Sequence, residues 1–197
     1  MSFNVSNVLT RPGYTIRWLA RAQPVGTVLV VFFTARLSVS VASYLWTQGP
    51  GTLMPIFDTV LMSTFWLAVY MILTAFLHLF ATMFGGRGDP GALFWGLMLS
   101  EAPGMLATPG VMLALGFKLV IPELATLFGF FVFLGIFVWS VALKVFAVSN
   151  LYGISGGRAL FAYFVAHGVQ LVLAGMLAML VPAVTMGWIS YLALFAQ

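Results

Sequence analysis

The sequence predicts an all-α fold: a polytopic membrane bundle of five transmembrane helices, the third kinked or broken, with a cytoplasmic N-terminus and the C-terminus outside. Three observations predict it. Of 197 residues, 62% are hydrophobic and only 6% charged, and mean hydropathy is +1.11. A soluble domain carries about 25% charged residues, so these charges cannot cover a solvated surface. The apolar residues run on without alternation, which indicates helices and not a barrel. The basic residues gather on one side of the runs. A soluble enzyme, a nucleic-acid-binding domain and a disordered chain are excluded.

A crossing helix needs roughly 20 largely apolar residues at 1.5 Å rise to span about 30 Å of hydrocarbon. Five runs qualify. The first is Pro24 to Trp46, opened by proline at a natural first helical position and closed by Thr47-Gln48-Gly49-Pro50. The second, Ile56 to Phe84, ends at Gly85-Gly86-Arg87-Gly88-Asp89-Pro90-Gly91. The third, Ala92 to Leu115, is interrupted by Pro103, Gly104, Pro109 and Gly110. The fourth is Leu124 to Val148, and the fifth runs from Arg158 to Val181, extending toward Trp188 beyond Pro182. Residues 1–23 form a cytoplasmic or interfacial segment, 24–188 the five-span domain and 189–197 a short non-cytoplasmic tail. The opening lacks a small-x-small processing site, so no cleavable signal peptide is expected.

Orientation follows the lysines and arginines. Arg11, Arg17, Arg21, Arg87, Lys144 and Arg158 fall on or near one side and Lys118 on the other, which places the first side in the cytoplasm. The same face is the candidate contact for anionic headgroups or a protein partner, through Arg11, Arg17, Arg21, Arg87 and Arg158. Tyr14 to Arg21 reads either as a short interfacial helix or as an ordinary positive anchor for the first span.

Five ionisable side chains fall inside the runs. Counted from the cytoplasmic ends, Arg36 lies roughly 18 Å up the first helix, and Glu101 and His167 roughly 14 Å up the third and fifth. His78 and Lys144 lie roughly 9 Å in on the second and fourth. Charges at such depth face the bundle interior and find partners. Arg36 and Glu101, opposite in sign and matched in depth, are the expected pair, with His167 beside them as a group able to carry a proton. His78 and Lys144 are near enough to the interface to reach it by snorkelling. Two uses of the cluster stay open: a helix-locking ion pair, or part of a pathway for an ion, proton or solute. The broken third span is likewise either a plain kink or the wall of a cavity.

Sliding the chain against itself by 66 residues lays the second and third runs on the fourth and fifth. His78 then falls on Lys144, Glu101 on His167 and Gly91 on Gly157, the pattern of a parallel repeat. Gly85-Gly86-Arg87-Gly88 and Gly153-Ile154-Ser155-Gly156-Gly157-Arg158 lack the spacing of phosphate-binding loops and read as cytoplasmic turns. No catalytic motif appears, no cysteine offers thiol or thiolate chemistry, and neither a metal nor an organic cofactor is expected. The scattered cations form no stripe for nucleic acid.

Trp66 through His78, Phe84-Gly85-Gly86-Arg87-Gly88, Glu101-Ala102-Pro103, Trp139-Ser140-Val141-Ala142-Leu143, Leu151-Tyr152-Gly153-Ile154-Ser155 and Arg158-Ala159-Leu160 occur in an order and spacing that resembles the Yip/YIPF-type domain family of five-span membrane proteins, in its bacterial branch. The resemblance covers about Asn7 to Val181. It implies five spans and a cytoplasmic N-terminus, as the charge count does independently, and a bacterial inner membrane. In eukaryotic relatives it implies membrane organisation in early secretory traffic with Rab-GTPase partners. Those relatives carry an Asp-Leu-Tyr-Gly-Pro motif ahead of the first span that this sequence lacks.

Two functional classes are therefore expected. One is a non-enzymatic membrane organiser that binds lipid, a protein partner or a second copy at its cytoplasmic face. The other is a small permease or channel using Arg36, Glu101 and His167.

Overall fold

A computed structural model describes residues 15–16, 25–47 and 54–195, with side chains in the last stretch described from 55 to 176. The described residues are helical, with no strand. The chain runs as α1 (Val25–Thr47), α2 (Met54–Met83), α3 (Pro90–Leu99), a 3₁₀ segment (Ala102–Leu106), α4 (Ala107–Lys118), α5 (Pro122–Tyr152) and α6 (Gly156–Phe195). Among the described residues, four helices are long and apolar enough to cross a membrane: α1, α2, α5 and α6. The third apolar run is divided, and neither α3 nor α4 reaches that length alone. Helix α6 continues through Pro182 to Phe195, past the boundary expected at 188. Arg11, Arg17 and Arg21, with most of the expected interfacial segment, lie outside the described residues.

Local chemistry explains the boundaries. Asp89 caps α3, its Oδ2 accepting the Ala92 N–H at 2.6 Å, and Pro90 takes the first helical position, where a missing N–H costs nothing. Pro122 opens α5 in the same way. Helix α2 stops at Gly85 (φ +83°) and α5 at Gly153 (φ +66°), left-handed positions that glycine adopts without steric cost.

The break in the third run is repaired by α1. Proline 109 has no N–H to give the carbonyl four residues back, which belongs to Met105. The Ser38 hydroxyl donates to that carbonyl at 3.0 Å. Ser38 Oγ also accepts the Thr108 N–H at 3.0 Å, and the Thr108 hydroxyl donates to the Ser38 carbonyl at 2.7 Å. Close approach makes this possible: a Cβ on Gly104 would meet Val39 and Ala35 of α1 at 3.3–3.4 Å.

Helices α2, α3, α5 and α6 form a ring in which the second helix of each hairpin packs on the first helix of the other, α3 on α5 and α6 on α2. Helix α1 lies against α2, α3, the 3₁₀ segment and α4, whereas the main neighbours of α6 are α2 and α5. The second hairpin thus does not flank α1 as the first does. The main core sits among Phe32, Leu73, Leu77, Leu93, Leu97 and Met98, with a smaller cluster of Ala42, Ala107 and Val111 nearer the α4–α5 turn. Leu61, Phe137 and Leu171 are 65–70% exposed on three different helices, an outer surface suited to hydrocarbon rather than water.

The two glycine-rich turns meet at one end of the bundle. The Arg87 N–H donates to the Tyr152 carbonyl at 3.1 Å. A Cβ on Gly88 would come within 2.8 Å of the Leu151 carbonyl and the Tyr152 ring, and one on Gly86 within 2.8 Å of Tyr152 Cβ. These glycines are needed because two turns dock backbone to side chain, not because a phosphate approaches. Trp46 of α1 packs on Gly129 of α5 and Ser40 donates to Asp58 at 2.9 Å. The Thr47 end of α1 therefore lies with the starts of α2 and α5, and its Val25 end with the glycine turns.

Candidate functional site

Between the two core clusters the helices leave a cavity of about 300 Å³. Helix α1 contributes Arg36, α2 Trp66 and Tyr70, α5 Ser140 and Lys144, and α6 Tyr163 and His167. Glu101 enters where α3 gives way to the 3₁₀ segment. Phe133, Ile136 and Phe137 make much of the remaining wall. By helix rise, Arg36, Glu101 and His167 each lie about 16 Å, and Lys144 about 12 Å, from the end of the bundle that carries the glycine turns.

The ion pair of this cavity is not the expected one. Lys144 Nζ lies 2.7 Å from Glu101 Oε1. The Tyr70 hydroxyl donates to the same oxygen, and the Lys144 ammonium also stands 5.5 Å from the Tyr70 ring centroid. Arg36, expected to pair with Glu101, instead places its guanidinium carbon 4.9 Å from the centroid of Trp66. Matched depth identified the level of the charges but not the helix faces. Glu101 follows directly on α3, which packs on α5. Lys144 does not snorkel: it is 9% exposed. Helix α5 runs four residues past the expected end at Val148, so Lys144 is deeper than the sequence reading placed it.

His167 is on the cavity wall as expected, stacked on Tyr163 with ring centroids 4.5 Å apart. Its Nε2 is 3.3 Å from the Tyr163 hydroxyl, and its buried Nδ1 has no hydrogen-bond partner. His78 does not join the cluster. Its Nδ1 lies 2.7 Å from the Tyr152 hydroxyl, beside the docked turns. Arg87 and Arg158 are exposed at that same end.

Sequence reasoning missed Trp66, Tyr70 and Tyr163. A signal existed for Tyr70. Tyrosine in membrane spans concentrates near the interfaces, and a buried tyrosine hydroxyl seeks a partner. Tyr70 sits well inside an apolar run, and its position alone marks it as facing polar groups within the bundle. Tyr163, five residues past Arg158, reads from sequence as an interfacial tyrosine, and only its burial at 4% exposure shows that it faces inward.

Taking charges into an apolar interior costs several kcal/mol per ion unless pairing and hydrogen bonds compensate. Glu101 has both an ammonium and a phenol on one oxygen, so it is held in one place and anchors the other groups. Among the described residues, no group of three or more His, Cys, Asp or Glu could hold a metal ion. Compared with family models, curated proteins and solved structures, the chain matches none.

Proposed function

We propose that this chain is a non-enzymatic integral membrane protein of Yip-like type, residing in a bacterial inner membrane. It crosses the bilayer five times, α3, the 3₁₀ segment and α4 together making the third crossing. In this reading the glycine turns and Val25 face the cytoplasm. Arg87 and Arg158, with the arginines ahead of α1, present a basic face to anionic headgroups or a protein partner. The bundle acts by holding a small ligand within the bilayer while that face engages the membrane surface.

The observation that carries the reading is convergence: Arg36, Glu101 and Lys144, from three separate parts of the chain, border one cavity about 12–16 Å from the end of the bundle that carries the glycine turns. Ionisable groups at membrane depth are costly and mark functional sites by default, and a structural lock would need only the Glu101–Lys144 pair. The test is native mass spectrometry of the gently solubilised protein. Wild type is expected to retain a small molecule, and S140F, which projects a ring into the cavity, to lose it. Equal retention by both would sink the reading.

A second reading, a small permease, is favoured by the Tyr163–His167 and Tyr70–Glu101 contacts, which put hydroxyl, imidazole and carboxylate on the lining of one cavity. Flux into proteoliposomes by wild type, E101Q and H167A tests it. Flux no greater than in protein-free vesicles removes it.

A further inference from the structure

The charges around the cavity do not balance. Arg36 and Lys144 bring two cations and Glu101 one anion, and the anion is taken by Lys144. Among the described residues no carboxylate lies within ion-pair distance of Arg36, and Glu101, whose field it shares, is already engaged by Lys144 and Tyr70. Its stacking on Trp66 engages one face of the guanidinium and leaves the five edge N–H donors unopposed. An unpaired cation is expensive at this depth. Trp66 relieves part of that cost, and an anion would relieve most of the rest.

A second observation points the same way from another helix. His167 Nδ1 is buried and has no partner. In the tautomer that accepts the Tyr163 hydroxyl hydrogen at Nε2, Nδ1 bears the ring hydrogen and is an unused donor. Buried polar atoms are nearly always satisfied, so one bordering a cavity marks a place for an acceptor.

We propose that the cavity is a binding site for one anionic group, a carboxylate or a phosphate, held by Arg36 and approached by His167. This rests on the ligand-holding reading above and adds the ligand's charge. The volume of about 300 Å³ is at the small end of ligand pockets and takes one head group with a short apolar body. Phe137 forms part of the wall and is 65% exposed at the middle of α5. The rim thus reaches the outer surface of the bundle, and an amphiphile can enter sideways. A free anion offers the same head chemistry from the aqueous side.

The experiment uses the full chain in phosphatidylcholine nanodiscs, titrated with oleate, oleyl alcohol or inorganic phosphate, with empty discs as background and tryptophan fluorescence as readout. Saturable binding of oleate is expected, with R36Q weakening it about tenfold or more, the loss of a charge-assisted hydrogen bond. R36K, which keeps the charge, is expected to retain most of the affinity, and thermal melts establish that both variants are folded. Binding of phosphate with the same Arg36 dependence supports the proposal with a free anion as source. Binding of oleate alone supports it with an amphiphile. Oleyl alcohol binding as tightly as oleate, or R36Q binding oleate as wild type does, overturns the anion assignment while leaving a ligand-holding cavity intact. No saturable binding by any probe also overturns it, and equal retention by wild type and S140F then shows that the broader reading has failed with it.

Discussion

Lys144 on α5 and Glu101 at the break of the third run, 2.7 Å apart, form the contact around which the polar interior is organised. The carboxylate oxygen that accepts the ammonium also accepts the Tyr70 hydroxyl, so α2, α5 and the 3₁₀ junction meet at one atom. Arg36 and His167 border the same space without sharing that atom. The anchor and the groups left available are therefore different residues.

Removing one member of the pair leaves the other buried and uncompensated. E101Q and K144M are each expected to destabilise the solubilised protein by about 3–5 kcal/mol. The double variant should be much less harmful than their sum. Chemical or thermal unfolding of all four proteins checks this, and strict additivity would show that the pair does not form.

R36A combined with E101Q serves as the contrasting cycle. Because Arg36 stacks on Trp66 rather than pairing with Glu101, the coupling between these two positions should be well below that of the Lys144–Glu101 cycle. Coupling as large would restore the pair expected from matched depth.

Ser38 supplies the donor that Pro109 withholds from Met105. S38A is expected to cost about 1–3 kcal/mol through an unsatisfied carbonyl. Adding P109A, which returns a backbone N–H, should recover part of that loss. A double variant no more stable than S38A would refute the repair.

The docked turns leave no room for a methyl group at Gly86 or Gly88. G88A is expected to cost about 1–3 kcal/mol as an overpacked contact, while G156A, at a position with nothing within 4 Å, should be nearly neutral in packing. Melting temperatures of the two variants decide it.

Topology is testable because the chain has no cysteine. Single cysteines at Arg87 and Arg158 should react with a membrane-impermeant maleimide only after cells are opened, and one at Lys118 in intact cells. The reverse pattern would invert the proposed orientation.

Membership of an apolar, helical bundle was determined by the sequence itself, because hydropathy is a property of each residue that survives any arrangement of the chain. The starts and stops were legible for the same local reason: Pro90, Pro122, Gly85 and Gly153 act through their own backbone chemistry. So was the common level of Arg36, Glu101 and His167 along the bundle, since helix rise converts residue number into distance, whereas Lys144 was placed too shallow because α5 runs on to Tyr152. Rotation was not legible. Which face of each helix looks inward depends on packing against neighbours distant in sequence, and the interruption at Ala102–Leu106 resets the phase between Glu101 and everything after it. Only the tertiary structure could therefore decide that Glu101 meets Lys144, that Arg36 lies on Trp66, and that His78 turns to Tyr152 instead of joining the cavity.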